Sequence, residues 1–528
     1  MTDEMNSPGV TRYVAAAREA GRCRAADLAA IRACRFDTMA VHGLYTMREA
    51  LENNQGSIIE PVYLSSSQAY RDSDEMEAAL SYQIPTWCYS RIANPSTYYL
   101  EQVLALLEGY GLEAETSCCS TSSGMAAIAS ATEPFLAVDE KNTGRAMNFV
   151  STCQVYGGTF QQFSVRRMKE RGIECRWVVD STDLQEWESK IDGDTRFLYG
   201  ELPSNPGQAF FDLRAVAELA HSSGLPLIVD STVATPALLR PLALGADIVV
   251  QSVTKTMTSS GFGIAGAVIA RKNLVSRRGS EEMKADFATY LKLLPNRDHG
   301  PNLSPMNAIL SLNDLRTLRS KVDLFSRSTL QVAEFLAGHR LVEQVHYLGL
   351  PGHPLHALAS RYLFLVDSEY DAQYRCQVNR YGHLMSFCVK GGAAAARRVF
   401  DAMQRIFRAT DLGRVKSVAT IPAISTHQQQ GEEGRSLAGI PMNLIRLCVG
   451  GEHPDDIIAD LAQALDAAEA RVTVSMSSAI PAGQSSPACA TSAAGATSPV
   501  GAAGATSPVG AAGPASPASP TSPAGRQP

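Results

Sequence analysis

The sequence lacks any apolar run approaching the about 18 residues of a membrane-spanning helix, so no transmembrane segment is expected. Its first 35 residues are mixed in charge and alanine-rich, without the apolar centre of a signal peptide. No long basic run occurs and the formal net charge is -6, which argues against nucleic acid or an anionic membrane as partner. Cys-x-x-Cys pairs are missing: eleven cysteines are scattered, and the adjacent Cys118 and Cys119 are poorly placed for a simple disulfide. Reduced thiols in a cytoplasm are the expectation. Charged residues are only 19% and hydrophobic ones 45%, the balance of a globular protein, and 528 residues allow two or three domains.

Composition divides what is present. Residues 1–35 read as a weakly helical, frayed arm, and residues 36–473 carry the regular patterning. Residues 474–528 become Ala, Ser, Pro, Gly and Thr, with Gly495–Ala503 repeated at once as Gly504–Ala512. Nothing there can bury a core, so a disordered tail is expected. In the patterned zone, short apolar runs (Asn148-Phe-Val-Ser, Arg176-Trp-Val-Val-Asp, Arg196-Phe-Leu-Tyr-Gly, Leu227-Ile-Val-Asp, Ile248-Val-Val) alternate with amphipathic helices such as Leu213 to His221. That alternation predicts an α/β fold, a mostly parallel sheet covered by helices on both faces. A long helix is predicted from Ser304 through Phe325. It leads into a smaller α+β domain that includes Leu444 to Val449 and ends in a helix from Pro454 to Val472.

Two of the runs end in chemistry. Leu225-Pro-Leu-Ile-Val-Asp230 is followed by Ser231-Thr232, and Ala246-Asp-Ile-Val-Val-Gln-Ser252-Val-Thr254-Lys255 ends in a lysine. Parallel sheets place ligands at strand ends. A lysine for a Schiff base and a carboxylate for a pyridine nitrogen fit pyridoxal 5'-phosphate. Ser122-Ser123-Gly124-Met125 opens an apolar helix, whose free N–H groups suit a phosphate. Ser252 and Thr254 flank the lysine with hydroxyls. Tyr156-Gly157-Gly158-Thr159 offers a ring to stack on the cofactor, and Tyr89-Ser-Arg91 offers a phenol and a guanidinium to its phosphate. Each element alone has a bland reading as an N-cap, a surface lysine or a tight turn; together they make a site. Gly261-Phe-Gly263-Ile-Ala-Gly266 fits a dinucleotide fingerprint, but an expected strand follows it rather than precedes it. His353 and His356 lack further close ligands, so a loop and no metal site is expected.

These residues resemble the cysteine and methionine metabolism family of pyridoxal-phosphate enzymes, over about Phe36 to Val472. The resemblance rests on Pro61-Val-Tyr-Leu-Ser-Ser, Tyr89-Ser-Arg-Ile-Ala-Asn-Pro, Ser123-Gly-Met-Ala-Ala-Ile, Tyr156-Gly-Gly-Thr and Leu202-Pro-Ser-Asn-Pro. It continues through Val229-Asp-Ser-Thr-Val-Ala-Thr-Pro, Ser252-Val-Thr-Lys, Leu348-Gly-Leu-Pro-Gly-His-Pro and Ile445-Arg-Leu-Cys-Val-Gly, in the family's order. It implies a fold-type-I transferase: residues 36–90 contacting a neighbouring subunit, 91–303 a large cofactor-binding domain, 304–473 a small domain. It implies a homotetramer of dimers with shared active sites. Lys255 would be the Schiff-base lysine and proton carrier, and Asp230, with Thr232 beside it, the pyridine-nitrogen partner. Tyr156 would stack on the ring and assist the leaving group, and Asn205 would lie near the 3-hydroxyl. Gly124, Met125, Ser252 and Thr254 would hold the phosphate, with Tyr89 and Arg91 from the neighbour. Arg446 would clamp the substrate carboxylate, with Ser417 nearby. The chain departs from the family at Ser231, where asparagine is usual, at Ala93, where glycine is usual, and in the loop Thr258-Ser-Ser-Gly-Phe-Gly, where Gly-Gly-His is usual.

The resemblance implies an amino-acid substrate and one of two outcomes: γ-replacement on an O-acetyl- or O-succinyl-homoserine, or γ- or β-elimination to a 2-oxo acid and ammonia. A catalytically inactive scaffold is the alternative of another class. Methionine γ-lyases typically carry a cysteine where this chain has Gly158. Lys416 stands where cystathionine-handling relatives often have a glutamate, and Ser425-Thr-His-Gln-Gln429 and Glu452-His-Pro-Asp-Asp456 are similar to O-acetylhomoserine sulfhydrylases. A cation at 416 disfavours a second ammonium. The expectation is γ-replacement by a sulfur or other nucleophile.

Overall fold

A computed structural model describes residues 6–85, 87–138 and 147–477, with side chains described through residue 469. The apolar runs become a seven-stranded sheet. Its strands are β1 (Thr116–Thr121), β2 (Asn148–Thr152), β3 (Glu174–Val178), β4 (Thr195–Glu201), β5 (Leu227–Asp230), β6 (Ile248–Gln251) and β7 (Gly266–Arg271), in the order β1-β7-β6-β5-β4-β2-β3. Strands β2 to β6 pair in parallel, and β7 runs antiparallel to both β6 and β1. Every residue of β4, β5 and β6 is buried. Burial on both faces explains why these segments read as unbroken apolar runs. Successive residues still alternate sides: Ile228, Ile248 and Val250 join one apolar cluster, Val229 and Val249 the other.

A second sheet follows: β8 (Val342–His346), β9 (Leu384–Val389), β10 (Phe407–Arg408), β11 (Val418–Thr420) and β12 (Leu444–Cys448), ordered β10-β11-β12-β9-β8. It is antiparallel apart from the short β10–β11 pair. Phe387 and Ile445 pack under Leu336, Ala396, Val399, Ile457 and Leu461 of the covering helices.

The structure corrects several expectations. Strand β1 has the polar sequence Thr-Ser-Cys-Cys-Ser-Thr and gave no apolar signal. The long helix is two, Pro305–Leu315 and Leu318–Gly338, broken at Thr317. The break sets Arg316 onto buried Glu60 and Arg319 onto Asp371 and the Val366 carbonyl. The arm is not frayed over its described residues: Pro8–Arg32 is a helix capped by Ser7, with Pro8 in its first turn. Val10 and Val14 bury against Ala78, Ser7 Oγ donates to Asp74 at 2.7 Å, and Arg32 donates to the carbonyls of Leu112, Glu113 and Ala114. The last helix runs Pro454–Ser477, past its expected end at Val472, so residues 474–477 of the expected disordered tail are helical; the rest of that tail lies outside the described residues. The Gly261–Gly266 run leads into β7. His353 Nδ1 accepts from the Leu355 N–H and His356 Nδ1 bonds the Leu348 carbonyl, so both serve a turn. The ten cysteines among the described residues are free thiols, and no helix there is long and apolar enough to cross a membrane.

Candidate active site

The carboxyl ends of β4, β5 and β6 converge with the start of the Gly124–Thr132 helix around a cavity of about 210 Å³. Of the residues expected to act, Gly124, Met125, Tyr156, Asn205, Asp230, Thr232, Ser252, Thr254, Lys255 and Arg446 all line it. Backbone hydrogen bonds fix the floor. Asp230 Oδ1 accepts from the Thr232 N–H at 3.0 Å, Thr232 Oγ1 accepts from the Ser252 N–H at 2.8 Å, and the Ser252 carbonyl accepts from the Lys255 N–H at 3.0 Å. Ser123 Oγ caps the helix by accepting from the Ala126 N–H at 3.2 Å, which leaves the helix opening turned to the cavity. Thr254 lines the cavity, but its hydroxyl is already engaged with Ala265, donating to the carbonyl and accepting from the N–H, both at 3.0 Å.

Glu201, absent from the expected set, organises one wall. It ends β4 one residue past the expected strand, opposite Asp230 in the sheet register. Its carboxylate accepts from the Tyr156 N–H at 2.6 Å and the Asn205 N–H at 2.8 Å, so one buried group sets both residues. Burial, together with the charge of Asp230, pushes the Glu201 carboxyl well above its ordinary range, and burial raises Asp230 as well. Neither carboxylate has an ion-pair partner among the described residues. Asp230 is only 7% exposed and faces the cavity. Two adjacent buried carboxylates call for a cationic group, and a protonated pyridine nitrogen meets that need.

Lys255 Nζ lies 2.6 Å from Asp411 Oδ1, a residue that sequence reasoning missed. Burial pulls the lysine's pKa down, Asp411 pushes it up, and Arg414 and Arg446 push it down. Arg446 is buried. Its guanidinium donates to Asn205 Oδ1 at 3.2 Å and to the carbonyls of Thr410 and Asp411 at 3.0 and 2.8 Å. Its Nε is buried without a partner among the described residues, an open position for a carboxylate.

Four expected residues stand apart. Tyr89 is 45% exposed, Arg91 stacks over it at 5.4 Å and bonds the Arg297 carbonyl, and neither lines this chain's own cavity. Ser417 is buried but turned away: its Oγ donates to Glu452 Oε2 at 2.9 Å and accepts from the Gly450 N–H at 2.9 Å. Lys416 is exposed, with Nζ 4.7 Å above the Phe407 ring, also outside the cavity. Val415 and Lys416 form an exposed bend ahead of β11, and burial begins only at Ser417. The charge selection expected of Lys416 therefore has no geometric basis within this chain.

The profile of the Cys/Met metabolism PLP-dependent enzymes matches residues 37–466. The chain belongs to that family. Among the relatives of this Cys/Met metabolism enzyme, an O-succinylhomoserine sulfhydrylase of Pseudomonas aeruginosa is 36% identical over 82% of this chain and 95% of its own length. An L-methionine gamma-lyase of Pseudomonas putida is 34% identical over 82% of this chain and 97% of its own. A crystal structure from Campylobacter jejuni named as an O-acetylhomoserine (thiol)-lyase superposes with a TM-score of 0.72 at 31% identity, covering 82% of this chain and all of that one. That structure carries N'-pyridoxyl-lysine-5'-monophosphate. The present chain is thus a PLP-dependent, fold-type-I enzyme of the transferase and lyase group of sulfur amino-acid metabolism.

Arg446→Lys is expected to lower kcat/KM by about 10²-fold, mostly through KM. A lysine cannot reproduce the planar fork and leaves the Asn205 and Thr410 oxygens without donors. Steady-state kinetics with varied amino-acid substrate checks this.

Proposed function

We propose that this enzyme catalyses γ-replacement on an O-acetyl- or O-succinyl-homoserine, the acyloxy group leaving Cγ as a carboxylate and a sulfur or other nucleophile, which gives up its proton, taking its place. The observation that carries the reading is the meeting of Lys255, Asp230 and Arg446 on one cavity beside the opening of the Gly124–Thr132 helix. Bound pyridoxal phosphate supplies an electron sink for negative charge at the substrate Cα. Asp230 would hold the ring nitrogen's proton, and Lys255 Nζ would hold the cofactor and move the proton of Cα. Arg446 orients the α-carboxylate. Tyr156 would cover the ring and Asn205 would lie near its 3-hydroxyl, while the Gly124 and Met125 N–H groups with Ser252 would hold the phosphate; Thr254, expected to join them, only lines the site, because its hydroxyl is spent on Ala265. Tyr89 and Arg91, exposed here, reach the phosphate of a neighbouring subunit in a homotetramer, and the enzyme works in the cytoplasm.

The similarity to sulfhydrylases supports replacement over elimination. So does Gly158: a Cβ there would stand 2.6 Å from Tyr156 Cε1 and 3.1 Å from Met125 Sδ. Gly158→Cys is therefore expected to displace the Tyr156 ring and lower replacement kcat/KM by about tenfold, read from the rate of new amino-acid formation. The similarity to methionine gamma-lyases supports the second reading, elimination to 2-oxobutyrate and ammonia. Incubation with O-acetyl- or O-succinyl-homoserine, with and without sulfide, methanethiol or cysteine, separates them. Nucleophile-dependent formation of a new amino acid sustains replacement; 2-oxobutyrate formed whatever the nucleophile establishes the lyase.

A further inference from the structure

Asp411 sits in the loop between β10 and β11 and connects both reactive cations of the cavity. Its Oδ1 accepts from Lys255 Nζ at 2.6 Å and from the Leu412 N–H at 2.9 Å. Its Oδ2 accepts from Arg414 Nε at 2.5 Å. Arg414 is itself pinned, its Nη1 donating at 2.8 Å to the carbonyls of Thr254 and Thr258 on either side of Lys255. The Asp411 carbonyl accepts from Arg446 Nη2 at 2.8 Å. Gly413, at φ +74°, lets the loop press on the lysine turn: a Cβ there would lie 2.5 Å from the Thr256 nitrogen and 2.9 Å from the Lys255 carbonyl carbon. The loop from Asp411 to Arg414 is thus moulded to the turn that carries Lys255.

The charges around the pair make this carboxylate matter. Lys255 is faced by Asp411, Arg414 and Arg446. Asp411 is faced by Lys255 and Arg414, and its charge is felt at Tyr156 and Arg446. With two guanidiniums opposing a third positive charge, a loose ammonium would turn outward to solvent; a fixed carboxylate keeps it in place.

We propose that Asp411 is the positioning residue for Lys255: locked by Arg414, its carboxylate holds Nζ beside Arg446, as amine or as ammonium, whenever Nζ is not bonded to the cofactor. This rests on the reading of Lys255 as the cofactor-bonding lysine. During turnover the Nζ lone pair takes the proton from Cα, the C–H electron pair stays with carbon, and the resulting ammonium remains on Asp411 until it returns that proton. No other reactant is required.

The test compares full-length wild type with Asp411→Asn, Asp411→Ser and Asp411→Glu, each checked for folding by circular dichroism. Borohydride reduction of loaded wild type, followed by peptide mapping, comes first; a pyridoxyl group on any lysine but Lys255 overturns the underlying reading. Cofactor-free protein is then labelled with limiting acetic anhydride across neutral and alkaline pH, and the Lys255 peptide is quantified. Without the carboxylate the neutral amine forms at lower pH. Labelling below the wild-type midpoint is therefore expected to rise about tenfold in the Asn and Ser variants, one pH unit of displacement, and to fall back in the Glu variant. In loaded enzyme, the pH profile of solvent-deuterium exchange at Cα of an amino acid without a leaving group is expected to move the same way. A midpoint unchanged in whichever of the Asn and Ser variants folds overturns the proposal, even where turnover drops, because loss of turnover alone would mark a structural role.

Discussion

Lys255→Ala is expected to keep its cofactor pocket and lose its turnover, by at least about 10⁴-fold. The pocket survives because the residues proposed to meet the ring and phosphate are held by bonds that do not involve the Lys255 side chain. Asp230 is fixed by the Thr232 N–H, Ser252 by Thr232 Oγ1, and Tyr156 and Asn205 by Glu201. Asp411 also stays satisfied, since Arg414 and the Leu412 N–H still bond it. What disappears is the one lysine amine lining the cavity among the described residues, whose burial favours the neutral, nucleophilic form. Bound cofactor should then dialyse away more readily and resist fixation by borohydride. Added methylamine should restore part of the rate, because a free small amine can enter the space left by the side chain. Arginine at 255 is the sharper control. It retains the charge next to Asp411 yet stays protonated, so it should show neither covalent attachment nor amine rescue.

What the sequence made legible follows from burial. Strands β5 and β6 lie between two helical layers, so their apolar runs stood out and their terminal Asp230 and Ser252-Val-Thr-Lys255 were found at once. Strand β1 lies at the sheet edge, and its hydroxyls and thiols carry no such signal. Glu201 escaped because it accepts two backbone N–H groups, that of nearby Asn205 and that of Tyr156, 45 residues away, which only the fold brings to it. The signal that existed was a charged residue ending an otherwise apolar strand. Asp411 and Arg414 lie in a loop without periodicity, and their tie to Lys255 spans 156 residues. Lys416 lies in an exposed bend ahead of β11, while Ser417 to Thr420 are buried, a change that the local sequence does not signal. The Thr317 break was hidden because helical spacing of apolar residues continues through it, while the ion pairs of Arg316 and Arg319 that accompany it reach Glu60 and Asp371.

Asp230→Asn should produce opposite effects in the empty and loaded protein, which makes it more diagnostic than loss of activity alone. The amide is isosteric and its oxygen can still accept from the Thr232 N–H, so the local turn is kept. In the cofactor-free protein, burial raises the Asp230 pKa above its unfolded value, and the same burial holds Glu201 high alongside it. An acid with a raised folded pKa binds its proton more tightly when folded. Its stabilising contribution is present below the ordinary carboxylate range and is lost as pH rises through the folded pKa. At neutral pH the ionised side chain is therefore a burden, and the neutral amide removes it. The melting temperature of cofactor-free Asp230→Asn should equal or exceed that of wild type. In the loaded protein the proposed pairing of the carboxylate with the ring nitrogen reverses the sign, and the melting temperature should fall below that of loaded wild type. Turnover should drop by about 10²–10³-fold, chiefly in kcat, as expected when an oriented charge opposite the reacting system is deleted. Lowering the pH should recover part of that loss, since the ring nitrogen, without its carboxylate, holds its proton only in more acidic solution. Thermal melts of both forms, with a kcat profile against pH, test the argument. A melting temperature that falls equally with and without cofactor would reduce Asp230 to a structural residue.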